Sequence, residues 1–95
     1  MITNINLSKK NERYAPHILN LINRYNIPHI SRIIFQETPK ENEESGEIII
    51  IIFTKDYLSS SFSKEMEFIL EKEIVAFFNL NISLVYISQD PNETI

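Results

Sequence analysis

Five consecutive isoleucines, Ile48 to Ile52, constrain the fold of this chain more than any other feature of its sequence. Their β-branched side chains are stiff and disfavour a helix, and the apolar run that ends at Phe53 has the length of one strand. Successive side chains of a strand point to opposite faces, so Ile49, Ile51 and Phe53 share one face and the even-numbered isoleucines the other. Because neither face is polar, the run predicts a central strand of a sheet, covered on both faces.

Length and composition predict one domain with a single core. The chain has 95 residues, a hydrophobic fraction of 43% and no cysteine, so we expect neither disulfides nor thiolate metal sites. No apolar run approaches the length of about 18 residues that a membrane helix needs. We therefore expect a soluble, cytoplasmic protein with no membrane partner. The net charge of −4 is unevenly spread, because residues 1–36 carry +4 and residues 37–95 carry −8.

Apolar spacing and turn residues predict the order β-α-β-β-α-β. The expected strands cover residues 2–7, 29–36, 48–53 and 82–87, the expected helices cover 13–26 and 62–78, and 89–95 form a loosely ordered tail. The helical stripes expected in the core are Tyr14, Ile18, Leu21, Ile22 and Tyr25, then Phe62, Met66, Ile69, Leu70, Ile74 and Phe77. If residues 2–7 fail to pair, the order becomes α-β-β-α-β.

The predicted order is the ferredoxin-like arrangement, an antiparallel four-stranded sheet with both helices on one face. The isoleucine strand would then lie inside the sheet, but its second face would lack a helical cover. That face would expose Ile34, Ile49, Ile51 and Phe53. Because a contiguous apolar patch usually marks a partner surface, we expect a second copy of the chain to cover it.

Residues suited to catalysis do not group into any recognisable set. His17 and His29 lack metal-ligand spacing, and a chain whose only glycine is Gly46 cannot build a phosphate-cradling loop. Asp56, just after the isoleucine strand, is the most site-like acid, although a turn residue that bonds local backbone is the favoured interpretation. We therefore expect a protein that is not an enzyme and that holds no metal or cofactor.

Two surfaces are candidates for binding a partner protein. Phe68 and Val75 lie nearly opposite the core stripe of the second helix, with Phe78 on its flank. The hairpin loop carries a cluster of glutamates, of which Glu41, Glu43 and Glu44 are the candidate contacts. An acidic loop can imitate nucleic acid toward a basic protein surface, but a solvated loop that keeps the hairpin soluble is the favoured interpretation.

Residues 17–35 resemble the helix-to-strand passage of ACT-type regulatory domains. The resemblance rests on an N-I-x-x-I step, here Asn26 to Ile30, after a leucine-rich helix, and otherwise on the topology. It implies a small non-catalytic module that pairs through its sheets and binds amino acids or similar ligands at the interfaces. The Pro-Gly usual in that family before the first helix is replaced by residues 13–16, Arg-Tyr-Ala-Pro, so no ligand residue carries over.

Three functions therefore remain open. The favoured one is a small acidic homodimer that regulates or inhibits a larger protein, for example one encoded by a phage or another mobile element. The second is an ACT-like module that senses a small ligand. The third is a KH-like RNA binder, which is disfavoured because the cations are scattered and no aromatic stacking platform accompanies them.

Overall fold

The computed structural model of the protein describes residues 2–38, 47–78 and 83–92. The elements are β1 (Ile2–Asn6), α1 (Lys9–Glu12), α2 (Ala15–Asn23), β2 (Ile30–Glu37), β3 (Ile48–Thr54), α3 (Ser60–Phe78) and β4 (Ser83–Gln89). The predicted α+β class and the β-α-β-β-α-β order are confirmed. The alternative without a first strand is wrong, since β1 pairs along its full length with β2.

The sheet is mixed, with strand order β1-β2-β3-β4. β2 and β3 form an antiparallel hairpin, whereas β1 runs parallel to β2 and β4 runs parallel to β3. The prediction that the isoleucine strand lies inside the sheet is confirmed. The prediction of an antiparallel sheet is wrong for both outer pairs, because each helix joins two strands that are direct neighbours and must therefore run the same way.

The strand order also sets the hands of the two crossovers. The chain steps across the sheet in one direction throughout, yet the strand direction reverses between β2 and β3. With α2 and α3 on the same face, the two β-α-β units therefore have opposite hands, and one of them is left-handed. Left-handed crossovers are rare, and the interleaved ferredoxin-like order avoids them. That preference is the physical reason why the element order suggested the interleaved arrangement.

The core lies between the helices and one face of the sheet. It is built from buried residues of α2, α3, β2, β3 and β4 and of the connection between α2 and β2: Ala15, Ile18, Leu21, Ile22, Ile27, Ile33, Phe35, Ile48, Ile50, Ile52, Leu70, Ile74, Val85 and Ile87. The alternation along β3 is strict, since Ile48, Ile50 and Ile52 are buried and the residues between them are half-buried. The predicted division of the isoleucine run between two faces is confirmed.

The predicted first helix, residues 13–26, is shorter in the structure, where α2 spans Ala15–Asn23. The one-turn helix α1 (Lys9–Glu12) precedes it and was not predicted, and the chain turns at Arg13 and Tyr14 between the two. The buried Asn11 side chain explains where α1 sits. Its amide donates to Glu37 Oε1 at 2.9 Å, and the same oxygen accepts the backbone N–H and the hydroxyl of Ser8. A carboxylate at the end of β2 thus holds the start of α1, where an anion is favoured.

The second long helix begins where its serines predicted. Ser59 is the residue that caps it, since its hydroxyl accepts the N–H of Phe62 at 3.2 Å. At the other end, Phe77 was predicted in the core and Phe78 on the surface, but Phe77 is 67% exposed and Phe78 packs against the core. The reason is that α2 is the neighbour of this last turn, with the Tyr14 ring edge-on to Phe78 at 5.8 Å.

The last strand reaches further than predicted. β4 includes Gln89, and Asp90 is buried immediately after it, so the ordered chain continues past the predicted start of the tail. The Asp90 N–H donates to the Thr54 carbonyl at 2.8 Å, and the Gln89 amide donates to the Lys55 carbonyl at 3.2 Å. Residues 93–95 lie outside the described part of the chain.

Candidate functional site

The face of the sheet that the helices leave open is a regular grid. The ladder registers place three rows of four residues across β1 to β4. The rows are Ile2, Arg32, Phe53 and Ser88; Asn4, Ile34, Ile51 and Tyr86; and Asn6, Gln36, Ile49 and Leu84. The four residues predicted for an oligomer face therefore share one surface, and the structure adds Tyr86 and Leu84 beside them.

Burial within this open face falls from its centre to its edges. Ile34, Ile49, Ile51 and Phe53 are half-buried by one another, without any helix above them in the described part of the chain. Tyr86 on β4 is 49% exposed, and Ile2 on β1 is 64% exposed. The open face is therefore an apolar centre between two more accessible edges, a mostly polar one on β1 with Ile2, Asn4 and Asn6, and one on β4 with Leu84, Tyr86 and Ser88.

Arg32, the only charged residue in the three rows of the open face, forms an ion pair with Asp90 at the end of β4. Arg32 lies over the Phe53 ring at 4.3 Å and reaches across β3 to Asp90, with its Nε 3.0 Å from Oδ2 and its Nη2 3.2 Å from Oδ1. The Ser31 hydroxyl, at an irregularity of the β2 ladder, donates to the same carboxylate at 2.8 Å. This bidentate pair locks the guanidinium over the ring and leaves the face without an unpaired charge.

The Asp90 carboxylate is ionised by its hydrogen bonds. Burial acts to raise its pKa, but the N–H of Asn92, the Ser31 hydroxyl and the guanidinium of Arg32 lower it further than burial raises it. The net effect is an Asp90 pKa below its ordinary value. The Arg32–Asp90 pair is consequently charged at neutral pH.

The free edge of β4 is closed by carboxylates. Glu71 Oε1 accepts the backbone N–H of Val85 at 3.0 Å, and Glu67 Oε2 accepts the N–H of Ile87 at 2.9 Å. Both glutamates lie on α3, one helical turn apart. They satisfy amides that would otherwise face outward from the edge of the sheet.

The outer surface of α3 is apolar where the helical spacing predicted. Phe68 is 65% exposed and Val75 is 44% exposed, and they lie seven residues apart on one side of the helix. The third predicted member, Phe78, is not part of this surface because it packs toward α2. The acidic loop residues Glu41, Glu43 and Glu44 lie outside the described part of the chain.

The structure pairs two residues that the sequence analysis treated separately. His29 Nδ1 lies 2.6 Å from Asp56 Oδ2, and both side chains are largely exposed. His29 has a positive φ of 54° and its carbonyl accepts the N–H of Lys55, so the hairpin register brings the two ends together. Among the described residues, no nucleophilic side chain hydrogen-bonds to the His29 imidazole or the Asp56 carboxylate. The Thr54 hydroxyl donates to the Asp56 backbone carbonyl at 2.8 Å, so the pair belongs to the turn after β3.

The described part of the chain contains a surface hollow but no cluster of metal-binding side chains. It holds no group of three or more histidine, aspartate or glutamate side chains placed to bind a metal. None of its helices is both long enough and apolar enough to cross a membrane. A surface hollow of about 340 Å³ lies where β3 and β4 end and α3 begins, lined by Thr54, Tyr57, Leu58, Ser60, Ser63, Lys64, Glu67, Ile87, Ser88 and Gln89.

Comparison with protein-family models, with curated proteins and with solved structures gives no match for this chain. The resemblance of residues 17–35 to ACT-type domains is therefore neither supported nor excluded by relatives.

Sequence reasoning missed three features of these surfaces. The His29–Asp56 contact had a usable signal, because a β2–β3 hairpin must bring the residue before β2 next to the turn after β3. The Arg32–Asp90 pair had no such signal, since it depends on β4 lying beside β3. The roles of Glu67 and Glu71 depend on the placement of α3 along the β4 edge, which their spacing alone does not reveal.

Proposed function

We propose that the protein is a small, non-enzymatic, cytoplasmic regulator that acts through protein–protein contacts and forms a homodimer through its open sheet face. The observation that carries the proposal is the grid of that face, with Ile34, Ile49, Ile51 and Phe53 at its centre and no unpaired charge. An apolar, charge-free face of this kind is typical of a surface that another protein covers.

A second copy fits this face better than an unrelated surface does. Each chain carries a net charge of −4, so two copies can approach closely only through a surface without acidic side chains. The open face meets that condition because none of the twelve residues in its three rows is acidic, and its one cation, Arg32, is already bound to Asp90. A symmetric contact also places the same apolar rows against each other, as an isologous dimer requires.

The size of the open face indicates a weak dimer. Four strands about 4.8 Å apart and three rows about 6.7 Å apart outline roughly 400 Å² on each copy. Two copies would thus bury about 800 Å² in outline, below the roughly 1,200 Å² at which stable specific interfaces begin and within the range of weak, transient contacts. We expect a dissociation constant on the order of 10 μM, so that assembly responds to concentration.

The larger target protein is expected at the outer surface of α3. Phe68 and Val75 remain exposed there when two copies stack through their sheets, because α3 lies on the other side of the sheet. In this arrangement each dimer presents two copies of the α3 surface. Binding of both by one target raises the overall affinity without a new contact.

Solution mass measured by light scattering across a dilution series tests the proposal. From about 1 μM to about 1 mM, a range that brackets the expected dissociation constant, the mass should rise from the monomer value of 11.2 kDa toward twice that value. Ile51→Lys and Tyr86→Lys each place a charge on the open face and should abolish the rise. Phe68→Asp is the matched control, because it removes an exposed apolar residue elsewhere and should leave the rise intact.

Thermal melting of each variant shows whether it is folded. A wild-type mass that stays at the monomer value throughout, or a rise that persists in folded Ile51→Lys and Tyr86→Lys, contradicts the proposed dimer.

A small-ligand sensor is the second candidate, and the hollow beside α3 is the observation in its favour. Ligands of α/β sheets bind outside the carboxyl ends of parallel strands, which is where this hollow lies, and its size is at the low end of ligand pockets. Thermal shift against amino acids and nucleotides separates the two functions. A rise of several degrees with one compound, lost in Lys64→Ala, supports the sensor.

A further inference from the structure

The two edges of the sheet differ in how their backbone is protected. On β4, the amides of Val85 and Ile87 donate to carboxylates of α3. The spacing of the two glutamates matches the spacing of the two amides. Four residues of a helix, Glu67 to Glu71, rise about 6.0 Å, and two residues of a strand, Val85 to Ile87, rise about 6.6 Å. Glu67 and Glu71 therefore meet alternate amides of the strand, and α3 occupies the place of a fifth strand.

Among the described residues, no side chain protects the β1 edge in this way. Natural edge strands are blunted by charged residues, proline, bulges or a covering element. β1 is Ile-Thr-Asn-Ile-Asn, its ladder with β2 is regular, and no side chain in the described residues hydrogen-bonds to it. Since β1 ends the strand order, its outward backbone groups are accessible to another strand.

Apolar side chains flank this edge on both faces of the sheet. Ile2 lies on the open face and is 64% exposed, and Ile5 lies on the helix side and is 45% exposed. An added strand would bury part of both, while its main chain continues the ladder. Strand addition combines main-chain hydrogen bonds with side-chain contacts on alternate faces.

The charges next to β1 indicate which kind of strand would pair with its edge. Lys9 and Lys10 follow β1 in α1, and both are exposed. A second copy pairing through its own β1 would add its own Lys9 and Lys10 to the same edge. An acidic segment is attracted instead. We propose that the β1 edge binds an extended, acidic segment of another protein by strand addition.

This site rests on the proposed function only in that its partner is a protein, and it uses a different surface from the open face. Ile51→Lys should therefore abolish the dimer and leave strand addition intact. That variant makes failure of the dimer distinguishable from failure of the β1 site.

Two capped peptides, EVTVTVE and KVTVTVK, are the probes. Amide hydrogen exchange, read by NMR, should slow at least fivefold at the outward-facing residues of β1 when the acidic peptide is added. The acidic peptide should bind at least fivefold more tightly than the basic one at low salt, and the difference should shrink at about 1 M salt. Val85 and Ile87 are the internal control, and their exchange should not change.

Two substitutions locate the site. Successive backbone amides of an edge strand point to opposite sides, so one of Thr3→Pro and Asn4→Pro breaks the ladder with β2 and the other removes an outward amide. The variant that breaks the ladder should lower the melting temperature. The variant that removes an outward amide should keep the fold and weaken acidic-peptide binding at least tenfold. Ile2→Glu changes only an exposed side chain and should weaken the preference for the acidic peptide.

Three results overturn the proposal: no slowing of β1 exchange by either peptide, equal binding of both peptides at low salt, or tight binding by the folded proline variant. Protection of β1 that rises with protein concentration alone also overturns it, and identifies a second copy as the occupant.

Discussion

The carboxylates that close the β4 edge lead to a quantitative prediction about stability. Glu67→Ala or Glu71→Ala removes one hydrogen bond from a backbone N–H to a charged acceptor, which contributes about 1.5–3 kcal/mol where it is fully enclosed. Both glutamates are half-buried, so water replaces part of the loss and we expect about 1–2 kcal/mol for each. For a domain of this size, 1 kcal/mol lowers the melting temperature by about 4–8 °C.

Helix propensity works against the effect, because alanine is the better helix former. Urea denaturation followed by circular dichroism measures the free energy of unfolding, and hydrogen exchange reads the two amides separately. Glu71→Ala should speed exchange at Val85 more than at Ile87, and Glu67→Ala should do the reverse. Glu65→Ala, an exposed glutamate of the same helix, is the matched control. If the three variants lose equal stability, or if neither amide exchanges faster, the edge-closing role is wrong.

Two further predictions concern titration. Because the pKa of Asp90 is lowered in the fold, its contribution to stability is present above its unfolded pKa and is lost as the pH falls through the folded value. Asp90→Asn should therefore be less stable than wild type at pH 7 and flatten the stability profile below pH 5, as urea midpoints will show. The hydrogen bond from Tyr25 to Glu73, with burial and the Glu73 charge, raises the pKa of Tyr25 despite Arg24. Tyr25→Phe identifies the step that Tyr25 contributes to an ultraviolet titration. Glu73→Gln should move that step to lower pH, and an unchanged curve would refute the contact.

Local periodicity was sufficient to predict the four strands and the two longer helices, but not α1, which lies before the predicted start of the first helix. The isoleucine run specifies a strand with two apolar faces whatever surrounds it, and β3 has that pattern. The spacing of Leu70, Ile74 and Phe68 likewise specifies which side of α3 is buried. These features are set within a few residues of chain, where side-chain stiffness and helical repeat decide the outcome.

Long-range geometry was not predictable in the same way. The strand order depends on where α2 and α3 lead the chain, and nothing in their sequences distinguishes adjacent from interleaved parallel strands. Phe78 is packed against the core and Phe77 is exposed, the reverse of the prediction, because α2 lies beside Phe78. The helical spacing along α3 alone does not show this. Asp90 acquires its role only because Arg32 reaches across β3 to it. The open face could be predicted, while its charge neutrality and the closed β4 edge could not.

The most direct test of the central claim is an NMR measurement of contacts between copies. A sample that mixes isotope-labelled and unlabelled protein at about 1 mM, well above the expected dissociation constant, reports only contacts that join two chains. The account predicts intermolecular contacts among Ile34, Ile51, Phe53 and Tyr86. Intermolecular contacts confined to the β1 edge or the α3 surface, or none at all, would contradict a dimer built on the open sheet face.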